Sequence, residues 1–290
     1  PGKVDGQNYS WTKEPNVVTT MHWKSDGRGE YENGENHLYL VDADGGAPIK
    51  LSSFGMDYVG NLQWLDNQTL LFSGNNTLND LKTPWKQTGI FTLNIKNKRL
   101  TKISPKEGVF STPKSSDDGE KIVYLGHPNT EYSSVAFDVW IYSKNKNRVL
   151  TNNLPSTPGE LFWLSNNRIA FDIDERGSSK IMELDINTKE LNEVIQGFDE
   201  QFYLSSTADS KYYGIYANSM RPGEVASVSD GNIKKLTGFN ELILNQYDLG
   251  KTTEINYRSP DNTQIQGWYI TPPNFDKNKK YPLILVIHGG

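Results

Sequence analysis

Apolar and polar residues alternate in short runs along most of this 290-residue chain. Alternation of this kind indicates β-strands that bury one face and leave the other in water. No stretch longer than about ten residues keeps apolar side chains at the i, i+3, i+4, i+7 spacing of a helix. Glycine and proline are frequent, with 25 and 14 residues, as tight turns between strands require. The pattern therefore predicts an all-β chain of short strands.

One strand pattern recurs five times, each time followed by a polar residue, a tight turn, and an apolar residue beside Thr or Ser. A second predicted hairpin precedes the last four copies, and two hairpins per repeat make a four-stranded antiparallel sheet. A period of about 40 to 50 residues is that of a β-propeller blade. A β-sandwich is the alternative, but sandwich strands do not usually repeat one turn signature at near-constant spacing. The polar positions, spaced by 52, 49, 42 and 44 residues, are Asp42, Asn94, Ser143, Asp185 and Ser229.

Two of the inner hairpins carry a tryptophan just before their turn, Trp64 and Trp163. Alternation along the strands places Phe72 and Phe171 across the turn from them. We expect both indoles to be mostly buried between neighbouring sheets, because aromatic side chains contribute much of the apolar area of such cores.

The C-terminal ten residues differ from the rest, because the aliphatic run Leu283 to Ile287 is continuous and does not alternate. A continuous run of this length is typical of a parallel strand buried on both faces. The run stops at His288-Gly289-Gly290, where two glycines allow the backbone to approach a ligand closely. A turn of this type after an early sheet strand supplies a backbone N–H to the oxyanion hole of α/β-hydrolases.

The stretch from Glu254 to Gly290 resembles the start of the catalytic domain in the prolyl oligopeptidase family of serine peptidases, particularly its acylaminoacyl-peptidase-like branch. The resemblance rests on short motifs in a fixed order. The one departure is Asn262, where the family usually has Gly, and Asn tolerates positive φ nearly as well in a tight hairpin. The motifs are Tyr257 and Ser259, Asp261-Asn262, Ile265-Gln266-Gly267-Trp268, Pro272 to Asp276, Lys279 to Pro282, and the aliphatic strand with its glycines.

The repeats are also similar to the propeller of this family, which commonly has seven blades, whereas five are visible here. The resemblance implies an internal fragment, with about two blades absent before it and a hydrolase domain absent after it. On this reading residues 1–16 are the remnant of an earlier blade and residues 17–240 are propeller blades. Residues 241–290 are a linker and the first strands of an α/β-hydrolase domain.

The resemblance further implies a parent serine peptidase that hydrolyses short peptides by acyl transfer through a Ser-His-Asp triad, with the propeller restricting access by size. His288, Gly289 and Gly290 would belong to the oxyanion loop, and the triad would follow Gly290. The chain alone would then be inactive. The alternative, from a different class, is a self-standing propeller that binds proteins. The residues that the hydrolase domain or another chain would cover are Leu283, Ile284, Leu285, Val286 and Ile287.

Other candidate residues in the blades carry less specific signals. Arg28 and Glu30 lie in a long loop that would contact substrate, with a solvated surface loop as the alternative. Gly177-Ser178-Ser179 lacks the last glycine of a G-x-S-x-G nucleophile elbow, so we interpret it as a blade turn. Asp42-Ala43-Asp44 and Asp172-Ile173-Asp174 contain calcium-type ligands, but neither run continues as a calcium loop does. We expect no metal and no cofactor.

Composition narrows the classes of partner and compartment. Charged residues make up 22% of the chain and the net charge is −5, so no basic field favours nucleic acid. No apolar run is long enough to span a membrane, and we expect no membrane partner. The absence of cysteine excludes disulfides and thiolate metal sites, and it is compatible with a cytoplasmic location, which we expect.

Overall fold

The structure of the chain is a computed structural model, and it describes residues 17, 24–25, 27, 29–30, 36–52, 55–56, 58–75, 87–128, 135–195, 197 and 199–287. Its secondary structure is nearly all-β and forms several antiparallel sheets. The chain divides into two compact units, Pro1–Asn153 and Leu154–Gly290. In the part of the chain described, no helix has the length and apolar character needed to cross a membrane.

The first unit contains short hairpins followed by two complete blades. Strands β1 (Lys24–Ser25) and β2 (Gly29–Glu30) pair with each other, as do β3 (Tyr39–Leu40) and β4 (Ile49–Lys50). We number the blades by the repeats of the sequence, so that β3 and β4 are the outer pair of blade one. In each complete blade every strand pairs with the next along the chain. Blade two is β5 (Tyr58–Asp66), β6 (Thr69–Asn75), β7 (Gly89–Asn94) and β8 (Leu100–Lys102), and blade three is β9 (Val109–Ser115), β10 (Lys121–His127), β11 (Asp138–Ser143) and β12 (Lys146–Val149).

The second unit contains two further blades that share one eight-stranded sheet. A single parallel bridge between Ser179 and Gln201 joins them. The short helix α1 (Glu241–Leu244) and a separate hairpin, β21 (Thr252–Arg258) with β22 (Gln264–Ile270), follow the blades. Blade four is β13 (Phe162–Ser165), β14 (Arg168–Glu175), β15 (Ser178–Asp185) and β16 (Leu191–Glu193), and blade five is β17 (Gln201–Ala208), β18 (Lys211–Asn218), β19 (Arg221–Ser229) and β20 (Asn232–Lys235).

The five repeats found in the sequence are confirmed as the outer hairpins of five successive blades, and the four preceding hairpins are confirmed as inner pairs. The recurring polar residue before the turn has a local function. Asn94 Oδ1 accepts the backbone N–H groups of the next turn residues at 3.1 Å, and Asp185 Oδ1 does the same at 2.8 and 2.9 Å. Asp42 Oδ1 accepts the N–H of Asp44 at 3.1 Å. Asp and Asn side chains stabilise turns in this way, which explains their place in the repeat.

The Ser or Thr that ends the repeat ties the outer strand back to the strand before it. Its hydroxyl oxygen accepts a backbone N–H from a residue 12 or 14 positions earlier. The apolar residue just before it donates its own N–H to the carbonyl of that same earlier residue. We call this pair of bonds the closing contact. The hydroxyl bonds are Ser52 with Leu38 (3.0 Å), Ser104 with Ile90 (3.1 Å), Thr151 with Val139 (2.9 Å) and Thr237 with Val225 (3.0 Å).

The central strands of blade two are buried on both faces. Leu70 and Phe72 pack in a cluster with Leu38 of blade one, whereas Leu71 between them packs in a second cluster with Phe110 of blade three. Successive side chains of a strand point to opposite faces, so one strand contributes to two cores. Blade two is therefore held by apolar contacts on both sides.

The expectation that Trp64 is mostly buried is wrong, because 49% of this residue is exposed. It pairs with Leu70 and not across from Phe72, since the register of β5 and β6 shifts after Gly60 and again after Trp64. The described strands of blade one cover Leu70 and the start of β5 at Val59, but not the end of β5 where Trp64 lies. Trp163 is partly buried and pairs with Ile169, so the expected partner Phe171 is also wrong.

Replacing a closing hydroxyl should destabilise its blade. In Thr151→Val the side chain keeps its shape, but the N–H of Val139 loses its acceptor in a buried position. Leaving a buried donor unsatisfied costs about 1–3 kcal/mol, and urea unfolding would measure this loss. Thr101→Val, at an exposed position of β8, is the control and should change the free energy of unfolding by less than about 0.5 kcal/mol. Equal effects of the two variants would contradict the assigned role of the hydroxyl.

Candidate functional site

The site residues predicted from the sequence fall mostly outside the described part of the chain. His288, Gly289 and Gly290 lie outside it, and so does Arg28. Glu30 is the second residue of β2 and pairs with Lys24 through the backbone. The oxyanion loop and the substrate-contacting loop therefore stay predictions.

The aliphatic run before the oxyanion loop is described, and it is open to solvent. Leu283 to Ile287 are between 76% and 88% exposed and belong to no strand of the structure. A parallel strand of this composition needs neighbours at both edges and cover on both faces. The predicted coverage of this run by another domain or chain stays a prediction.

The hairpin that precedes this run has the form predicted from its motifs. Its turn is Asp261-Asn262, and Asn262 has a φ of 69°, so the tolerance of Asn for positive φ is confirmed. Asp261 Oδ1 accepts the N–H of Thr263 at 3.1 Å and the hydroxyl of Ser259, and Arg258 donates to the carbonyl of Asn262 at 2.9 Å. The turn is thus fixed by side chains of its own residues.

Polar side chains join this hairpin to the turn between β14 and β15. The carboxylate of Glu254 accepts a bond from Gln266 at 2.7 Å and pairs with the guanidinium of Arg176 at 3.4 Å. Gln266 also donates to the carbonyl of Arg176 at 3.1 Å. Hydrogen bonds from Asn256 and Gln266, and then the charge of Arg176, hold the pKa of Glu254 below its ordinary value. The carboxylate is therefore charged at neutral pH and can attract the guanidinium.

An aromatic contact accompanies the polar ones. A Cβ atom placed on Gly177 would overlap the indole of Trp268, so the ring lies directly against the backbone of the turn. Gly177 also has a φ of 78°, in the region that favours glycine. The interpretation of Gly177-Ser178-Ser179 as a blade turn is confirmed for Gly177, which lies between β14 and β15, whereas Ser178 and Ser179 are the first residues of β15.

A buried carboxylate organises the exit from blade five. Glu224 is 4% exposed and accepts backbone N–H bonds from Phe239 at 3.1 Å and Asn240 at 2.9 Å. It also accepts the hydroxyl of Thr237 and the side-chain amide of Asn240. These bonds, led by that from Thr237, lower the pKa of Glu224 to about 2. The residues that lead into α1 are thereby anchored to β19.

Asp172 and Asp174, which the sequence offered as calcium-type ligands, contact different groups of the protein. Asp174 accepts the hydroxyl of Ser179, and the carboxylate of Asp172 lies against Gly159. Burial, together with the nearby carboxylates of Asp174 and Glu160, raises the pKa of Asp172 to about 6. In the described ranges no group of three or more His, Cys, Asp or Glu side chains could hold a metal ion. Asp172 is thus a partly buried carboxyl that carries an electrostatic cost when charged.

No structural or functional role was predicted from the sequence for Arg176, Glu254, Gln266 or Glu224. Glu224 had a usable signal, because it stands at an inward position of an alternating strand, where a charge needs partners. Arg176 and Glu254 are separated by 78 residues, and nothing local in the sequence indicates that they meet.

Asp172→Asn should stabilise the chain at pH 8 but not at pH 4. The folded-state pKa is about 6 against an ordinary value of 3.8, so the native state binds the proton more tightly than the unfolded state does. Stability therefore falls as the pH rises between these values and is lowest above them. Thermal unfolding should show a higher Tm for the variant at pH 8 only. Asp209→Asn, at an exposed turn position, is the control, and equal shifts in both variants would refute the electrostatic cost.

Glu224→Gln should release the segment that leads into α1. Hydrogen exchange at the amides of Phe239 and Asn240 should accelerate by about tenfold or more, because bonds to a charged acceptor are lost. The pKa of Glu224 falls from 4.5 to about 2 on folding, so its contribution is complete above pH 4.5 and is lost as the pH approaches 2. The difference from wild type should shrink in that range. Glu241→Gln, at an exposed residue of α1, should leave both amides unchanged.

The known proteins that are similar to the chain in sequence include dipeptidyl-peptidases from several fungi. No family model matches the chain. Dipeptidyl-peptidase 5 of Aspergillus fumigatus is 26% identical over 199 residues, covering 63% of this chain and 27% of that protein. Dipeptidyl-peptidase 5 of Trichophyton equinum is 29% identical over 208 residues, covering 67% of this chain and 28% of that protein. The chain thus spans less than a third of the length of these curated relatives.

A solved structure agrees with the fold. The acylaminoacyl peptidase of Pyrococcus horikoshii superimposes with a TM-score of 0.70 at 18% identity, covering 94% of this chain and 42% of that chain. At this identity the likeness shows the fold, and the matching architecture is a β-propeller of antiparallel blades. In sequence the chain is similar to these dipeptidyl-peptidases, and in fold it is similar to this acylaminoacyl peptidase, which supports a peptidase-related propeller region.

Proposed function

We propose that this chain is the propeller portion of a serine peptidase that hydrolyses short peptides. The observation that carries the proposal is the sequence similarity to dipeptidyl-peptidase 5 over about two thirds of the chain. The likeness of the fold to acylaminoacyl peptidase supports it. Both names describe the removal of a small unit from a peptide, so the substrate class we propose is short peptides cleaved near one end.

The proposed reaction is acyl transfer. A serine that follows Gly290 in the longer protein attacks the peptide carbonyl, a histidine takes the hydroxyl proton and passes it to the leaving amine, and an aspartate orients the histidine. Water then hydrolyses the acyl-enzyme by the same route. The part that we assign to this chain is the loop His288-Gly289-Gly290, whose backbone N–H groups would stabilise the oxyanion.

The exposed aliphatic run supports the presence of a hydrolase core next to this loop. Leu283 to Ile287 are at least 76% exposed, and leaving such side chains in water forfeits roughly 1.5–3 kcal/mol each relative to burial. As the first strand of a parallel sheet, the run would recover this free energy and place the oxyanion loop at the carboxyl end of the strand. Its burial there is the physical link between the described chain and the proposed chemistry.

The blades would then limit which peptides reach the reaction centre. Four complete blades would provide the walls, and the second strands of blades two and three, β6 and β10, are buried along both faces. We propose that Arg28 and Glu30 contact the peptide as it enters; both belong to the segment between Trp23 and His37 that the sequence predicts as a long loop, in which Glu30 ends β2. This role rests on the length of the loop, since loops longer than their hairpin requires often carry function.

The purified 290-residue chain should neither cleave dipeptidyl or acylaminoacyl chromogenic substrates nor react with a fluorophosphonate probe. No G-x-S-x-G sequence occurs in it, and an oxyanion loop without an activated nucleophile cannot form an acyl-enzyme. A longer protein that carries this sequence and continues past Gly290 should do both, with the probe on one serine. Labelling of the 290-residue chain would contradict the proposal. A longer protein that is neither active nor labelled would favour a self-standing protein-binding propeller instead.

A further inference from the structure

Among the described residues, no hydrogen bond joins the hairpin of β21 and β22 to blade five, the blade that precedes it in sequence. It follows blade five along the chain, yet the hydrogen bonds described between it and the blades go to the β14–β15 turn of blade four, and each involves Arg176. Along the chain, the hairpin comes after blade five and before the aliphatic run Leu283 to Ile287. A contact between the hairpin and blade four can therefore fix the position from which the chain continues towards this run.

The polar half of this contact is compact and partly open to water. Gln266 bridges the carboxylate of Glu254 and the carbonyl of Arg176, at 2.7 and 3.1 Å. The ion pair of Arg176 with Glu254 is longer, at 3.4 Å, and the two side chains are 68% and 26% exposed. An ion pair with one exposed partner is weakened by salt and can open and close.

The aromatic half explains why residue 177 is glycine. The turn has positive φ at both central residues, 53° at Arg176 and 78° at Gly177. Two other turns of this chain have the same geometry without glycine, Lys144-Asn145 at 50° and 59°, and Asp209-Ser210 at 50° and 58°. A side chain is therefore tolerated by this type of turn. At position 177 a Cβ would overlap the indole of Trp268, so a side chain there would displace the ring from the turn.

We propose that Arg176 and Gly177 are positioning residues, which hold the hairpin, and with it the run leading to the oxyanion loop, on the propeller. The inference rests on the proposed function, because it concerns the placement of that same loop. The turn acts as a docking point with two components. Trp268 sets the position of the hairpin by shape, and the Arg176–Glu254 pair holds it closed with a strength that depends on salt.

A matched pair of glycine variants tests the shape component in the 290-residue chain. Gly231 is likewise the second central residue of a turn, the one between β19 and β20 of blade five, with a φ of 74°, and a Cβ there would lie 3.3 Å from the carbonyl oxygen of Val194. Gly177→Ala and Gly231→Ala therefore carry a similar backbone cost, and only the first displaces Trp268. The readouts are tryptophan emission, taken as the difference from a Trp268→Phe background, and the rate of tryptic cleavage after Arg258.

Gly177→Ala should shift the Trp268 emission to longer wavelength and accelerate cleavage roughly fivefold or more, since proteolysis follows the population of the open hairpin. Gly231→Ala should lower the Tm to a similar extent and leave both readouts unchanged. Identical behaviour of the two variants would overturn the proposal, because the effect would then be general loss of stability.

The charge component is tested without altering the turn. Arg176→Gln and Glu254→Gln should each accelerate cleavage, the double variant should add little, and Arg176→Lys should restore most of the protection. High salt should accelerate cleavage in wild type but not in Arg176→Gln. Arg221→Gln, at the start of β19, is the control and should behave as wild type. Strictly additive effects of the two single variants would show that the pair does not hold the hairpin, and would overturn this component.

Separate measurements test the docking of the hairpin and the proposed peptidase function. Emission and proteolysis report hairpin docking whether or not any protein carrying this sequence is a peptidase. In an active longer protein, Arg176→Gln should lower kcat by about tenfold with little change in KM, because displaced catalytic groups cost rate more than binding. An unchanged kcat would overturn the positioning role and leave the peptidase assignment intact.

Discussion

The outer strand of each blade is too short to be held by its own ladder of hydrogen bonds. β8 and β16 have three residues each, and β12 and β20 have four. A strand of this length at the edge of a sheet exposes unpaired backbone groups and would fray. In blades two, three and five the closing contact solves this problem, because a hydroxyl and a backbone N–H at the end of the outer strand bind the same residue of the third strand. The third strand is thereby fixed in register, and the apolar clusters on its two faces can form.

The sequence predicted the hairpins well because their determinants are local. An Asp or Asn before the turn lies two or three residues from the backbone groups that it binds, and a hydroxyl after the turn binds a residue 12 or 14 positions earlier in the same hairpin. The burial of Trp64 was predicted wrongly because the hairpin of β5 and β6 contains two register shifts, and each shift changes the face of the sheet on which a side chain lies. No residue near Trp64 in the sequence indicates these shifts. The contact of Arg176 with Glu254 joins distant parts of the chain, so it could be seen only after the fold was known.

The chain also shows how charge is managed inside an all-β architecture. Glu224 is buried with a complete set of donors, and its pKa is lowered. Asp172 is partly buried against a glycine with fewer donors, and its pKa is raised. The same chemical group therefore stabilises one end of the second unit and costs stability elsewhere in it. Both carboxylates stand in strands, and their surroundings separate them: hydrogen-bond donors surround Glu224, whereas Asp172 is buried near two other carboxylates.

Blade four is the one complete blade, among the residues described, whose repeat has no hydroxyl at the closing position, since Val194 and Ile195 stand there. Val194 still donates its N–H to Ile181 at 2.8 Å, and the sheet of blade four continues into blade five through the N–H of Ser179 and the carbonyl of Glu200, 3.0 Å apart. Blade four, which lacks the closing hydroxyl, is thus the blade that is hydrogen-bonded to the next blade through its backbone. Because this bond makes one continuous sheet of the two blades, we expect blades four and five to open together, whereas a blade that closes its own outer strand can open alone.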